Sequence, residues 1–516
     1  MKYQIFTCSL FLMICIVGIS GCRNNIADKK QLVDNNILSE QHRPQYHFTP
    51  DSMWMNDPNG MVYHDGEYHL FYQYYPDSTI WGPMHWGHAV SKDMVHWTHL
   101  PIALYPDSLG YIFSGSAVVD KGNTSGLGNE GKDPMIAIFT HHNMDGEKSG
   151  RNDFQYQSIA YSYDNGRTFT KYEGNPVIKN PGIKDFRDPK VIWHEATKKW
   201  VVVFAAYDKA LFYTSPNLID WTKTGEFGID GDKRLWECPD LFPVKVEGNN
   251  EQKWILITSI QQKAPNGGTG TSYFVGDFDG MTFKADPKNQ KWLDYGKDNY
   301  ALVTWSNPPD DRILALGWMS NWQYAQKVPT QRWRSAMTLP RELKLYKQGL
   351  EFVLRSMPVK ELASLEADVI AMETKIIKDS SLKSDINPAS KLEFSFKKPS
   401  SGLLTIRFSN AKNEYLDVGY DADSKTYFVD RTASGKSDFS SDFAGRHTGQ
   451  APYNHDTVEM LIYMDHASVE LFADSGQCVM TEIFFPSEPF SKVQILGKEI
   501  ELIKGNFTSL DVRKVK

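Results

Sequence analysis

Apolar residues fall in short runs cut by Gly, Asp and Asn over residues 44–345. His69-Leu-Phe-Tyr-Gln-Tyr74, Met135-Ile-Ala-Ile-Phe139, Trp200-Val-Val-Val-Phe204 and Trp254-Ile-Leu-Ile-Thr258 are examples. Runs of this length bounded by turn formers predict strands, and no sustained 3.6-residue period predicts a long helix. A small motif recurs. Ser91-Lys-Asp-Met-Val-His-Trp97, Tyr163-Asp-Asn-Gly-Arg-Thr-Phe169, Ser215-Pro-Asn-Leu-Ile-Asp-Trp221 and Asp277-Phe-Asp-Gly-Met-Thr-Phe283 each place an aromatic six residues after their start. Each reads as a hairpin with the aromatic on the return strand. The starts lie 72, 52 and 62 residues apart. A mean spacing near 62 residues puts roughly five units into about 300 residues, which predicts a five-bladed β-propeller. Residues 346–390 read as a connection, in which the charged stretch 358–386 suits a short helix or an irregular link. From 391 to 516 strict alternation takes over, as in Leu392-Glu-Phe-Ser-Phe396, Leu404-Thr-Ile-Arg-Phe408 and Ser468-Val-Glu-Leu-Phe472. Period-two strands without a repeat predict a β-sandwich. The expected fold is therefore all-β, a propeller followed by a C-terminal β-sandwich.

The N-terminus is patterned differently. Lys2 precedes an apolar run from Ile5 to Ile19, followed by Ser20-Gly21-Cys22. The run is shorter than the ~20 residues a bilayer-spanning helix needs. Ile-Ser-Gly-Cys resembles the lipobox of bacterial lipoproteins. That resemblance implies a signal peptide over 1–22, lipid attachment at Cys22, and an envelope protein anchored to a membrane without spanning it, at the outer-membrane periplasmic face or the cell surface. Residues 23–43 are polar and aperiodic, as a tether would be. Composition narrows the rest. The 516 residues are 41% hydrophobic and 13% aromatic, with a formal charge of −7, so the chain has ample core and no basic footprint for nucleic acid. Cys238 and Cys478 stand alone in the mature chain, which is no disulfide framework.

Three acids stand in related settings: Met55-Asn56-Asp57-Pro58, Phe186-Arg187-Asp188-Pro189 and Trp236-Glu237-Cys238-Pro239. Pro restrains the backbone on both sides and so helps hold a side chain in place. Any one of them reads equally well as a turn acid or an ion pair. Three in one propeller suggest acids brought to a common mouth by inner strands. Two carboxyl groups flanking a glycosidic bond are what its hydrolysis needs.

The stretch His47-x-x-Pro50-x-x-x-x-Met55-Asn56-Asp57-Pro58-Asn59-Gly60 resembles the opening signature of glycoside hydrolase family 32, the fructosidases. Arg187-Asp188-Pro189 and Trp236-Glu237-Cys238-Pro239 resemble its two other acid motifs. The resemblance runs from residue 44 to the C-terminus, and is more of pattern than of motif in the second half. It looks most like exo-acting levanases, inulinases and yeast-type invertases. It implies that Asp57 is the nucleophile, Glu237 the general acid and base, and Asp188 a stabiliser of the oxocarbenium-like transition state. Arg187 is expected to keep Asp188 ionised, and Cys238 to neighbour the acids rather than attack. Trp54, Asn56, Gln73, Trp81, Phe113, Ser114, Arg187, Cys238 and Trp322 are expected to bind the terminal fructose, with Trp318 the alternative to Trp322. No metal or cofactor is implied, and His85 and His88 read as structural.

The implied activity is retaining, exo-acting hydrolysis of β-fructofuranosyl linkages of levan and/or inulin, with sucrose a further candidate substrate, releasing fructose. The rival readings are a propeller glycosidase acting on pentose glycans, a non-catalytic surface glycan-binding lipoprotein, and a fructosyltransferase, which differs only in the acceptor.

Overall fold

A computed structural model describes residues 39–129, 131–378, 380–383, 385–450 and 456–515. The chain divides into Met1–Arg43 and Pro44–Lys516. The expected signal peptide with Cys22, and the tether as far as residue 38, lie outside the described residues. Residues 39–42 form a turn.

Within Pro44–Lys516, the described residues form seven sheets, and the first five along the chain, the blades, are each built on four antiparallel strands in chain order. The first blade holds Met53–His64, Glu67–Tyr75, His85–Ser91 and Trp97–Leu104. The second holds Tyr111–Val119, Met135–His142, Gln155–Ser162 and Thr170–Lys171. The third holds Phe186–His194, Lys199–Ala206, Lys209–Ser215 and Thr222–Gly228. The fourth holds Trp236–Lys245, Gln252–Ile260, Gly270–Phe278 and Phe283–Lys284, and the fifth Tyr300–Thr304, Ile313–Met319, Arg341–Gln348 and Glu351–Pro358. The first strand of each blade packs on those of its neighbours, the fifth against the first. Trp333–Arg334 pairs in parallel with Met53–Trp54, which ties the last blade to the first.

The hydrophobic pattern follows from this geometry. A propeller strand lies between two blades and is buried on both faces, so it reads as a continuous apolar run. Trp200–Ala206 is buried at every position. Each large side chain so placed contributes about 1.5–3 kcal/mol. The recurring motif is the hairpin between the third and fourth strands. Ser91, Ser215 and Asp277 lie in third strands, Tyr163 just after one, and Trp97, Phe169, Trp221 and Phe283 at or beside the fourth.

The second half alternates where only one face of a sheet is covered, as Ser390–Lys397 shows, whereas Ser468–Ala473 and Cys478–Ile483 are buried at every position. One sheet orders Glu366–Met372, Ile500–Leu510, Ser390–Lys397, Thr457–Met464, Ser468–Ala473 and Cys478–Ile483. The other orders Ser380–Lys383, Lys492–Leu496, Leu403–Ser409, Tyr415–Asp421, Thr426–Asp430 and Arg446–Gln450. Leu392, Phe394, Leu404, Ile406, Val418 and Leu471 lie in the core between them.

The expected connection over 346–390 is largely strand. Glu351–Pro358 completes the fifth blade, and Glu366–Met372 pairs with Ile500–Leu510 of the sandwich. Only Lys360–Leu365 between them is a short 3-10 helix. Glu366–Met372 is an edge strand that meets solvent on both faces, with Ala367 to Ala371 all exposed, which is why the segment carries no core-facing alternation.

Candidate active site

The first strands of the blades converge on one mouth, and each is interrupted at the same depth. In every blade two residues of the first strand face one residue of the second. The doubled pairs are Asn56-Asp57, Phe113-Ser114, Asp188-Pro189, Cys238-Pro239 and Ala301-Leu302. A bulge of this kind re-aims a side chain out of the pleat. Asp188, Cys238 and Ala301 adopt positive φ values of 63°, 44° and 52° to do so. Pro189 and Pro239 fit because a bulged residue owes no N–H to the ladder. Gly60 follows the first bulge at φ 57°, where a Cβ would lie 2.7 Å from the Phe71 ring. Only glycine meets both demands.

The bulges bring the three acid motifs together. Ser114 Oγ donates to Asp57 Oδ2 at 2.8 Å and Asn56 Nδ2 to Asp57 Oδ1 at 3.1 Å. Cys238 joins two of the acids. Its Sγ donates to Asp57 Oδ2 at 3.4 Å, and its backbone N–H donates to Asp188 Oδ2 at 2.9 Å. Arg187 gives Nε and Nη2 to Glu237 Oε1 at 3.2 and 2.9 Å. The Tyr300 hydroxyl hydrogen-bonds Glu237 Oε2.

Burial pushes the Asp57 carboxyl above its ordinary pKa, and Glu237 adds to the rise; the Ser114, Asn56 and Cys238 donors offset part of it. The Cys238 thiol is driven well up by burial and then by the Asp57, Asp188 and Glu237 carboxylates. It is therefore a thiol donor and not a thiolate nucleophile. Burial likewise keeps Tyr300 protonated, and Glu237 reinforces this.

Arg187 does not chiefly serve Asp188. Its Nε is 3.9 Å from Asp188 Oδ2, while Nη1 donates to Asp185 Oδ1 at 2.7 Å and the other nitrogens hold Glu237. Burial raises the Asp188 carboxyl; Arg187 offsets part of this, and Glu237 and Asp57 add to it. The reason is geometric. Asp188 turns away through its positive φ towards the Cys238 N–H, and the guanidinium reaches across to the fourth blade.

The aromatic candidates divide into walls and supports. Trp81, Phe113 and Trp322 are half-buried, and Trp81 meets Phe113 edge-on at 6.0 Å. Trp318 is fully buried behind Trp322 at 4.9 Å, so Trp322 is the residue presented. Trp54 is also fully buried; it stacks behind Trp322 at 5.8 Å, and its Nε1 holds Asn56 Oδ1 at 2.7 Å. Its expected contact with sugar becomes a support for Asn56. Gln73 lies opposite the Asn56-Asp57 bulge and donates to the Ile112 carbonyl at 3.1 Å. His88 stacks on Phe71 at 4.0 Å and bonds His69, and His85 bonds the Pro83 carbonyl, both packing roles. Sequence reasoning missed Tyr300. Its signal was its place heading the fifth apolar run, level with Trp236-Glu237 in the fourth.

Such a mouth can hold a sugar ring against aromatic faces, with carboxyl groups at the reacting bond. Comparison with known proteins agrees. The model for the glycosyl hydrolases family 32 N-terminal domain matches residues 47–356, and that for the family's C-terminal domain matches 361–513. A levanase of Bacillus subtilis (strain 168) is 49% identical over 478 residues, covering 88% of this chain and 68% of that protein. The crystal structure of an exo-inulinase from Aspergillus awamori superposes with a TM-score of 0.84 at 35% identity, covering 92% of this chain and 99% of that one. A β-fructofuranosidase from Schwanniomyces occidentalis complexed with fructosyl-erythritol gives the same TM-score at 33% identity, with 92% and 98% covered.

Proposed function

The chain belongs to glycoside hydrolase family 32, and on that premise we propose that it hydrolyses β-fructofuranosyl linkages of levan, inulin and sucrose with retention, releasing fructose from chain ends. The observation that carries this reading is the single mouth in which Asp57, Asp188 and Glu237 are linked through Cys238 and Arg187.

The chemistry follows in two balanced steps. Asp57 attacks the anomeric carbon of the terminal fructosyl unit while Glu237 passes a proton to the departing oxygen, leaving a fructosyl ester on Asp57. Water then attacks that carbon, Glu237 takes its proton, and fructose leaves. Three donors on Asp57 favour its charged form, as a nucleophile needs. Asp188, aimed into the same mouth, binds fructose hydroxyls and stabilises the cationic transition state. Half-buried walls at Trp81, Phe113 and Trp322 suit a pocket that takes one chain end. The intact set of acids disfavours a binding-only role, and the pentose-glycan reading would need neither the Asp57 nor the Glu237 motif.

The test is a product profile from protein lacking residues 1–22, given levan, inulin and sucrose separately and sampled early. Free fructose from the first time point is the expected result. A ladder of oligosaccharides would place the cut inside the chain, and no product from any substrate would overturn the reading. Ile5–Ile19 followed by Ser20-Gly21-Cys22 supports a lipid anchor at Cys22 on the bacterial envelope. Among the described residues no helix is long and apolar enough to cross a membrane. Detergent-dependent extraction that is lost in Cys22→Ser is the expected outcome.

A further inference from the structure

Arg187 is held from behind by a polar ladder on the second blade. Two cross-strand pairs lie on neighbouring rungs of one face, Thr140 opposite Gln157 and His142 opposite Gln155. On the first rung, Thr140 Oγ1 donates to Gln157 Oε1 at 2.6 Å and accepts from the Asp188 N–H at 3.1 Å; Gln157 Nε2 donates to the Phe186 carbonyl at 2.9 Å. That rung grips the backbone either side of Arg187. The second rung grips Arg187 itself, whose Nη1 reaches Gln155 Oε1 at 3.4 Å.

The chemistry of the second rung allows one arrangement. A guanidinium only donates, so the oxygen of the Gln155 amide faces Arg187. Its nitrogen then faces His142 Nδ1 at 3.1 Å, and that nitrogen has to accept. The imidazole proton is therefore on Nε2, 3.1 Å from Glu147 Oε2. Burial and the neighbouring Arg187 hold His142 down at about 4, so the ring stays neutral and keeps its acceptor at working pH. The same ring stacks on Phe113 at 4.2 Å with the planes 6° apart. Gln155 and His142 are both buried, at 2% and 3% exposure.

We propose that Gln155 and His142 are positioning residues for the acid/base step, fixing Arg187 so that it holds the Glu237 carboxyl on the leaving-group oxygen while His142 sets the Phe113 wall. The inference rests on the β-fructosidase reading and adds two residues that touch no substrate. Without Gln155, Nη1 keeps its single bond to Asp185 at 2.7 Å, the guanidinium pivots about that bond, and Glu237 loses the two-pronged contact that orients it. Misplacement of a catalytic group by about 1 Å costs up to about a hundredfold.

The test compares sucrose, whose leaving oxygen needs a proton, with β-fructofuranosyl fluoride, whose leaving group does not. Both are read as kcat/KM, which reports only the steps through leaving-group departure. Gln155→Met is expected to lower kcat/KM on sucrose about tenfold or more, with KM within about twofold, while the fluoride value stays within about twofold of wild type. His142→Phe keeps a ring on Phe113 but removes the acceptor, and is expected to give the same selective loss on a smaller scale. It serves alone if Gln155→Met does not fold. Equal losses on both substrates, or no loss on either, would overturn the proposal. Wild-type turnover of either substrate secures the β-fructosidase reading independently.

Discussion

Asp57 carries a conflict between function and stability. The proposed mechanism needs it charged to attack, yet burial and Glu237 raise its pKa in the folded chain. A carboxyl whose pKa is raised by folding binds its proton more readily in the native state than in the unfolded one. The native fold is therefore penalised above that pKa, and the penalty fades as pH falls through it. Asp57→Asn keeps the shape and removes the charge. Turnover is expected to fall by about a thousandfold or more while sugar binding persists, since no covalent step remains. The thermal midpoint at pH 7 is expected to rise by about 1–2 °C and the gain to shrink at pH 4. Unchanged turnover would remove Asp57 from the mechanism. The three acids were legible because each lies in a contiguous run with a proline one or two residues on. Tyr300, Gln155 and Thr140 were not. They reach the site across blades: Tyr300 stands out only when the blade-heading runs are aligned with one another, and the runs around Gln155 and Thr140 carry no pattern that separates them from ordinary strand residues. The partnership of Arg187 was half legible. Its Nε lies 3.9 Å from Asp188 and offsets part of the rise there, but adjacency in the chain gave no sign that its shorter bonds run to Glu237 and Asp185.

At the scale of elements, one strand device is used five times at the mouth and one turn device four times at the rim. The bulges were hidden from the sequence, because a run with one extra residue still reads as an apolar run. The rim hairpins were visible because their turn chemistry is local. In the first blade Asp93 Oδ1 accepts from the N–H groups of Val95 and His96, and in the third Asn217 Oδ1 accepts from those of Ile219 and Asp220. Trp97 and Trp221 then close the loops by donating to the carbonyls of Met94 and Leu218, both at 3.0 Å. Met94 and Leu218 take positive φ values of 65° and 64°, so the side-chain cap holds a bend the backbone alone disfavours. Asn217→Ala leaves two turn N–H groups to water. It is expected to lower unfolding free energy by about 1 kcal/mol in urea titration without changing kcat on sucrose, since the hairpin lies on the outer edge of its blade. A matching loss of kcat would mean that the outer strands also set the mouth.

Propeller and sandwich meet through buried charges, which makes the whole molecule sensitive to pH. Arg341 bonds Asp294 Oδ2 at 3.0 Å and Glu470 Oε2 at 2.7 Å, and Arg431 pairs with Asp298 and Glu482. His47, the first residue of the signature stretch, belongs to this network and not to the active site. Its Nδ1 meets Asp465 Oδ2 at 2.8 Å and its Nε2 meets Glu470 Oε1 at 3.0 Å. Burial opposes the imidazolium, but the two carboxylates overcome it and lift its pKa to about 9. Asp465 and Glu470 are lowered in turn: burial works against their charge, and His47 outweighs it at Asp465, Arg341 and then His47 at Glu470. The signs set a window. The histidine's share of stability is fully present below its unfolded value near 6.5 and is lost as pH rises through about 9. The share of the carboxylates is present above their unfolded range near 4 and is lost as pH falls below it. His47→Gln keeps hydrogen bonding without the charge. The stability gap between wild type and this variant is expected to be on the order of 2–3 kcal/mol at pH 6 and to close by pH 9.5, read by denaturant unfolding across that range. A gap that persists at pH 9.5 would mean that His47 holds the two halves together by packing, and that the charge contributes nothing.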